Sequence, residues 1–166
     1  MLWRNGLPAC CLLAALALLG GCKEEQVSVG APAPALAAYD LAGQAADLSR
    51  WRGKNVYLNF WSAGCGGCLA EMATLEKLSR RYGDKIVVAA VNTDPDGVDI
   101  VPLLAQQTVN YPVIRDQLGI TKERYQVIGT PTSFIIDGGG KVTAQHQGAR
   151  DERQLTELFA RLASGS

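Results

Sequence analysis

Two cysteines separated by two residues, Cys65 and Cys68, are the side chains in this sequence best suited to do chemistry. They follow the apolar, β-forming run from Asn55 to Trp61 and open a stretch with helical spacing. A thiol at a helix start meets unpaired main-chain N–H groups and the positive end of the helix dipole, and both favour the thiolate. The pattern therefore predicts thiol-disulfide exchange, with Cys65 as the nucleophile and Cys68 as the thiol that resolves the mixed disulfide.

Two other uses of a Cys-x-x-Cys pair are a structural zinc site and an inert disulfide. Structural zinc needs four ligands, and the sequence after Cys22 offers only this pair and a single histidine, His146. A disulfide that closes so short a loop stabilises a fold little. His146 alternates with Val142 and Ala144 in a strand pattern, which favours a structural role for it. We therefore expect no metal site.

The elements that position the pair alternate between strands and helices. The helical spacing continues from Cys68 to Tyr82, and Gly83 ends the segment. Further helices are predicted at residues 101–108, 117–125 and 151–162. Further strands are predicted at residues 85–92, 111–114, 132–136 and 141–147, and a small hairpin at residues 36–48 around Gly43. This order predicts an α/β, thioredoxin-like fold, in which helices flank a central mixed β-sheet with an N-terminal β-hairpin extension.

The first 21 residues have the layout of a secretory signal. Arg4 precedes an apolar stretch of fifteen residues, 7–21, whereas a membrane-spanning helix needs about 20. The sequence Leu19-Gly20-Gly21-Cys22 resembles the lipobox of bacterial lipoproteins, in which the cysteine is acylated and becomes the first residue of the mature chain. An ordinary signal peptide and an uncleaved anchor are the alternatives, and each also places the rest of the chain outside the cytoplasm.

The remaining chain divides into a linker and one domain. Residues 22–34 are polar and contain a Gly-Ala-Pro-Ala-Pro run, which predicts a flexible tether. Residues 35–166 have the size of a single domain, and we expect a monomer. The 166-residue chain carries sixteen acidic and sixteen basic residues, so it lacks the clustered basic excess that nucleic-acid binding requires.

A second signature, Gly129-Thr130-Pro131-Thr132, lies directly before a predicted strand. Proline accepts a cis peptide bond at a cost of only about 0.5–1 kcal/mol, and an ordinary trans turn is the alternative. Residues 60–72, FWSAGCGGCLAEM, together with residues 129–137, GTPTSFIID, resemble the TlpA/ResA-like thioredoxin family. The resemblance extends from about residue 33 to the end of the chain.

The resemblance implies roles for several residues. In the family the proline is cis and packs beside the disulfide, and the residue before it pairs with the substrate, so Pro131 and Thr130 take these roles here. Glu71 matches a family carboxylate near the active site, and a desolvated acid with a raised pKa there is able to shuttle the proton of the resolving thiol. A solvated helix residue is the alternative. Trp61 is expected in the core and in the substrate-binding wall of the site. Asn59 replaces a buried aspartate of thioredoxin and cannot take that proton.

The motif also departs from the family. Relatives usually have tryptophan before the first cysteine and proline between the two, whereas this chain has Gly64 and Gly66-Gly67. A kinking proline after Met72 is replaced by Ala73. The glycines relax the main chain, so these changes leave the reduction potential and the direction of electron flow open.

The family implies a lipid-anchored thiol-disulfide oxidoreductase on the periplasmic or cell-surface side of a bacterial membrane. Such enzymes reduce protein disulfides, including the haem-attachment cysteines of apocytochromes c, with electrons from a membrane thiol carrier. No cofactor is expected beyond the Cys65–Cys68 disulfide. Two other functions stay open. A thiol peroxidase pattern has Ser62 at its threonine position but Leu58 in place of its proline, and Sco-type copper carriers separate their cysteines by three residues.

Overall fold

A computed structural model describes residues 25–165 and arranges them around one six-stranded sheet. In chain order the strands are β1 (Tyr39–Asp40), β2 (Asn55–Trp61), β3 (Ile86–Asn92), β4 (Val113–Arg115), β5 (Thr132–Ile136) and β6 (Val142–Gln147). Their order across the sheet is β1-β4-β3-β2-β5-β6. Strand β2 pairs in parallel with β3 and antiparallel with β5, so the sheet is mixed as predicted.

Helices cover both faces of this sheet. They are α1 (Gly66–Tyr82), α2 (Val101–Gln106), α3 (Ile120–Arg124), α4 (Glu152–Ser164) and a short 3-10 helix at Leu48–Trp51. The core on one face includes Leu75 of α1 and Phe159 of α4. The core on the other face includes Tyr125, which directly follows α3, and the side chain of Trp51 packs against it. The predicted thioredoxin-like α/β arrangement is confirmed.

Strand β2 is the central element because both of its faces are buried. Its residues from Val56 to Trp61 are all buried, as the sequence of β-formers predicts. On one face the ring of Tyr57 lies 5.4 Å from that of Phe159. On the other face the ring of Phe60 lies 5.3 Å from that of Tyr125. Packing on both sides fixes the end of the strand from which the cysteine motif extends.

The predicted N-terminal hairpin is present, and it is joined to the sheet. The amide of Asp40 donates to the carbonyl of Gln44 at 2.8 Å, and Gly43 turns the chain with a φ of +78°. Glycine adopts this left-handed conformation without the steric cost that a side chain brings. The first arm of the hairpin is β1, which pairs antiparallel with β4 and forms the edge of the sheet.

Much of the segment expected to be a tether is bound to the domain. The amide of Val27 donates to the carbonyl of Arg124 at 2.8 Å, and the amide of Ala33 donates to the carbonyl of Gly140 at 2.9 Å. Pro32 also forms a β-bridge with Lys141. The prediction of a free tether is therefore wrong for residues 27–34, because a polar, proline-rich composition does not reveal main-chain bonds to distant elements. Residues 22–24 lie outside the described residues.

Candidate active site

The two cysteines lie where β2 gives way to α1 and are joined in a disulfide. Cys65 is the residue that precedes the first turn of α1, with extended φ and ψ angles of −93° and 99°. The Cα atoms of Cys65 and Cys68 are 5.3 Å apart. The amide of Cys68 donates to the Sγ of Cys65 at 3.1 Å, so a helix N–H group points at the sulfur. In the reduced state the same group and the helix dipole stabilise a thiolate at Cys65.

The two sulfurs differ in their access to solvent. Cys65 is partly exposed, whereas Cys68 is 1% exposed and belongs to the core beneath the helix. A partner protein therefore reaches Cys65 first. This difference agrees with the predicted order, in which Cys65 attacks and Cys68 resolves.

The Thr130–Pro131 peptide bond is cis, as the family resemblance implied. Pro131 is buried next to the motif, since a Cβ built on Gly67 would lie 3.7 Å from its Cδ. The hydroxyls of Thr130 and Ser62 are 3.2 Å apart. Within residues 25–165 the hydrogen bonds of Thr130 involve its hydroxyl alone, and its main-chain N–H and C=O have no hydrogen-bond partner there.

Glu71 is buried, which rules out the alternative of a solvated helix residue. Its side chain is 3% exposed, and its Oε1 accepts a hydrogen bond from the main-chain amide of Arg150 at 2.6 Å. Its Oε2 is buried and has no hydrogen-bond partner within the described part of the chain. Burial raises the pKa of Glu71, and the bond and charge of Arg150 partly oppose that rise. The acid lies one helical turn after Cys68.

Arg150 was not predicted as a site residue. Its Nη1 donates to Ser133 Oγ at 2.7 Å and to the hydroxyl of Tyr57 at 3.2 Å. Burial, and secondly the charge of Glu71, raises the pKa of Tyr57. The sequence around Arg150 carries no motif, so no signal in it points to the site.

Asp94 was also missed, because it was interpreted only as part of a turn. Its Oδ2 accepts hydrogen bonds at 2.7 Å from the amide of Ala63 and from the side chain of Asn92. The amide of Thr93 donates to the carbonyl of Trp61 at 2.9 Å. These bonds tie the residues just before the cysteines to the loop that follows β3.

Trp61 lies in the core, as predicted, but not in the wall of a substrate-binding site. At 1% exposed it forms part of the core that contains Cys68, but it offers no surface to a substrate. Asn59 lies on the same face of β2, and its Oδ1 is buried without a partner within the described chain. The amide of Asn59 cannot take up a proton, whereas the buried carboxylate of Glu71 can.

His146 lies on β6, opposite Ser133, and is partly buried. Burial, and then the nearby charge of Arg150, lowers its pKa. Among residues 25–165 no three His, Cys, Asp or Glu side chains come together in a group able to hold a metal ion. The predicted lipidation site, Cys22, lies outside the described residues.

A partly exposed thiol at a helix start, a buried partner thiol and an adjacent cis-proline on this fold define a thioredoxin-like thiol-disulfide oxidoreductase. Comparison with known proteins agrees. The Redoxin family model matches residues 28–162, and the chain belongs to that family. It is 33% identical over 141 residues to the thiol-disulfide oxidoreductase ResA of Bacillus thuringiensis subsp. konkukian, covering 84% of this chain and 82% of ResA. It is 30% identical to the thioredoxin-like protein YneN of Bacillus subtilis, covering 81% of each chain.

Solved structures show the same likeness. A putative thiol:disulfide interchange protein DsbE from Chlorobium tepidum superposes with a TM-score of 0.76 at 34% identity, covering 83% of this chain and 99% of the other. The thioredoxin domain of a thiol-disulfide oxidoreductase from Bacteroides vulgatus gives a TM-score of 0.69 at 26% identity, covering 81% and 99%. The TlpA/ResA-like assignment made from the sequence is confirmed.

Proposed function

We propose that this chain is a membrane-tethered reductase of protein disulfides outside the cytoplasm. The observation that carries the proposal is the asymmetric pair, in which the sulfur of Cys65 is partly exposed at a helix start and that of Cys68 is buried beside it. Such a pair receives a substrate disulfide at one sulfur and retains the second for resolution. The disulfide is itself the redox group, and no other cofactor is needed.

The reaction proceeds in two steps from the reduced chain. The thiolate of Cys65 attacks one sulfur of the substrate disulfide, forms a mixed disulfide and expels the first substrate thiolate. Cys68 then loses its proton to the carboxylate of Glu71 and attacks the Sγ of Cys65, which expels the second substrate thiolate. Two electrons pass to the substrate, and the chain ends with the Cys65–Cys68 disulfide. The main chain of Thr130, held by the cis bond to Pro131, pairs with the substrate during both steps.

The proposed location rests on the sequence before the described residues. Residues 1–21 act as a lipoprotein signal, and the acyl group on Cys22 holds the domain at the periplasmic or cell-surface side of a bacterial membrane. No helix within residues 25–165 is both long and apolar enough to cross a bilayer. Replacing Cys22 by Ser should abolish the incorporation of radiolabelled palmitate that we expect in the wild-type chain, whichever fraction the uncleaved variant enters. Equal labelling of the two chains, or no labelling of the wild type, would contradict acylation at Cys22.

The proposed partners are proteins that carry a disulfide and a membrane thiol carrier that returns electrons to the Cys65–Cys68 disulfide. The family resemblance favours apocytochromes c, whose haem-attachment Cys-x-x-Cys-His segment forms a disulfide. The chain acts as a monomer in this proposal, since one domain carries both cysteines of the exchange pair.

The test uses the full-length chain in detergent, reduced with dithiothreitol and freed of reductant. It is mixed with a peptide that contains a Cys-x-x-Cys-His disulfide, and the free peptide thiols are alkylated and counted by mass spectrometry. We expect up to one peptide disulfide reduced per chain, loss of this reduction in Cys65→Ser, and full reduction in Cys22→Ser. If the oxidised chain instead bridges the reduced peptide while the reduced chain leaves the disulfide intact, the proposed direction is wrong. Rapid consumption of peroxide with no peptide reduction would favour the peroxidase alternative.

A further inference from the structure

Three buried polar side chains beneath α1 form a cluster with the partly buried Arg150. Its members are Glu71 of α1, Tyr57 of β2, Ser133 of β5 and Arg150 of the loop before α4. Buried polar groups of this kind cost free energy unless they bond to one another. Arg150 donates a hydrogen bond to each of the other three residues, so Arg150 is the centre of the cluster.

The two oxygens of Glu71 have different surroundings. Oε1 is fixed by the amide of Arg150 at 2.6 Å. Oε2 is buried and accepts no hydrogen bond within the described residues. One lone pair of Oε1 is engaged in this bond, whereas Oε2 is unengaged, so Oε2 is the oxygen better placed to take up a proton. The main-chain contact thus decides which oxygen exchanges a proton.

The side chain of Arg150 holds that main-chain contact in place. Its Nη1 is bound to Ser133 Oγ and the hydroxyl of Tyr57, which lie on neighbouring strands. On the chain's other side the amide of Gly148 donates to the carbonyl of Pro131 at 2.8 Å. The segment from Gly148 to Arg150 therefore links the cis-proline to the buried acid, with the guanidinium as its anchor on the sheet.

We infer that Arg150 is a positioning residue, which orients the Glu71 carboxyl to receive the proton of Cys68 when that thiol attacks the mixed disulfide. The inference rests on the proposed function, in which Cys68 performs the resolving step. The proton passes from the Cys68 sulfur to Oε2 of Glu71, the Cys68 sulfur forms a bond to Cys65 Sγ, and the bond from Cys65 Sγ to the substrate breaks. The guanidinium also stabilises the carboxylate form that must be present to accept the proton.

Other titratable groups surround this pair. The charge of Glu71 acts on Tyr57 of β2 and on Tyr111 of the loop before β4. Burial raises the pKa of both tyrosines, the charge of Glu76 and then that of Glu71 add to the rise at Tyr111, and both tyrosines are therefore neutral near pH 7. His146 of β6 is affected by the charge of Arg150. The positive charge that acts on Glu71 is therefore that of Arg150.

The resolving step can be measured separately from the first attack. The reduced full-length chain in detergent is mixed with a small aromatic disulfide, 5,5′-dithiobis(2-nitrobenzoate), in a stopped-flow instrument. Attack by Cys65 releases one coloured thiolate, and attack by Cys68 on the resulting mixed disulfide releases the second. The rate of each phase is followed as a function of pH.

Arg150→Gln removes the charge but keeps a hydrogen-bond donor, and Arg150→Lys keeps the charge. We expect Arg150→Gln to move the pH midpoint of the second phase upward, because the carboxylate loses its cation, and Arg150→Lys to restore most of the shift. The first phase should be unchanged. The matched control is Arg153→Gln, which removes an exposed arginine that pairs with Glu157, and its second phase should match the wild type.

The same substitution in a Glu71→Gln background should produce no shift, because the acid is already absent. If Arg150→Gln shifts the second phase equally with and without Glu71, or does not shift it at all, the inference is wrong while the proposed function stands. Loss of the first phase in the wild type would instead contradict the proposed function. If Arg150→Gln does not fold, Ser133→Ala removes the shorter of the two hydrogen bonds that hold the guanidinium and leaves the one to Tyr57, so it should give a smaller upward shift. The absence of any shift would overturn the inference.

Discussion

Gly67 faces Ala149 so closely that a Cβ built on the glycine would lie 3.3 Å from the Cβ of Ala149. The same atom would lie 3.7 Å from the Cδ of Pro131. Of the two glycines between the cysteines, only Gly66 has space for a side chain. Gly66 has nothing within 4 Å of such an atom, whereas Gly67 lets the loop before α4 and the cis-proline approach the motif.

The two glycines should respond differently to the same substitution. Gly66→Ala should raise the free energy of unfolding by about 0.4–1 kcal/mol, because alanine restricts the unfolded chain and meets no atom in the fold. Gly67→Ala should lower it by about 1 kcal/mol, because the loop that carries Ala149 must move outward. Urea denaturation of both variants in the oxidised state measures the difference. Equal stability of the two variants would show that the loop carrying Ala149 moves away at no cost in free energy.

Asp94 should stabilise the segment before Cys65 through its bonds to Ala63 and Asn92. Asp94→Ala leaves the amide of Ala63 without its acceptor, and we expect a loss of about 1–3 kcal/mol in the free energy of unfolding. Hydrogen exchange at the Ala63 amide should become faster. The control is Asp96→Ala, whose carboxylate accepts only from exposed donors and should change stability by less than about 0.5 kcal/mol. Similar losses in both variants would argue against a special role for Asp94.

The fold was largely predictable because its strongest patterns are local. The β-formers of β2 and the helical spacing of α1 identify these elements without knowledge of their neighbours. The bounds of two helices with weaker patterns differ from the prediction. A helix predicted at 117–125 begins only at Ile120, since the carboxylate of Asp116 accepts from the amides of Thr121 and Lys122 and fixes the turn before it. The helix predicted at 101–108 ends at Gln106.

The site was predictable where its residues form a motif and not where they meet through the fold. The two-residue spacing of Cys65 and Cys68 identifies them as a redox pair from the sequence. Arg150 reaches Glu71 across 79 residues of chain, and Asp94 reaches Ala63 across 31. Neither partner lies in a pattern that sequence reasoning can use, because a single arginine or aspartate in a loop is most often solvated.

Glu71 should make the stability of the chain depend on pH. Because burial raises its pKa above the ordinary value of 4.5, the folded chain holds this proton more tightly than the unfolded chain. The resulting stability is complete below pH 4.5 and is lost as the pH rises through the folded-state pKa. Glu71→Gln cannot ionise, so urea denaturation should show the variant gaining stability relative to the wild type as the pH rises above 4.5.

Glu76 provides a control of opposite sign on the same helix. Burial opposes the shift, but hydrogen bonds from Asn110 and Arg80 outweigh it and hold the pKa of Glu76 below its ordinary value. The stability that Glu76 contributes to the fold is therefore present above pH 4.5 and is lost as the pH falls through its folded-state pKa. Glu76→Gln should destabilise the chain at neutral pH, and the difference should shrink in acid. A parallel pH dependence in both variants would refute the assignment of Glu71 as a proton-holding acid.

Cys68→Ser should convert the chain from a catalyst into a trap. Cys65 keeps its helix-start position and its partial exposure, so it still attacks a substrate disulfide, but no buried thiol remains to release the product. The mixed disulfide should therefore accumulate to nearly one per chain and should dissolve on addition of dithiothreitol, which non-reducing electrophoresis and mass spectrometry measure. Cys65→Ser is the matched control, because its remaining thiol at Cys68 is only 1% exposed and should form little adduct with a protein substrate. Equal adduct formation by both variants would mean that burial does not determine which sulfur attacks.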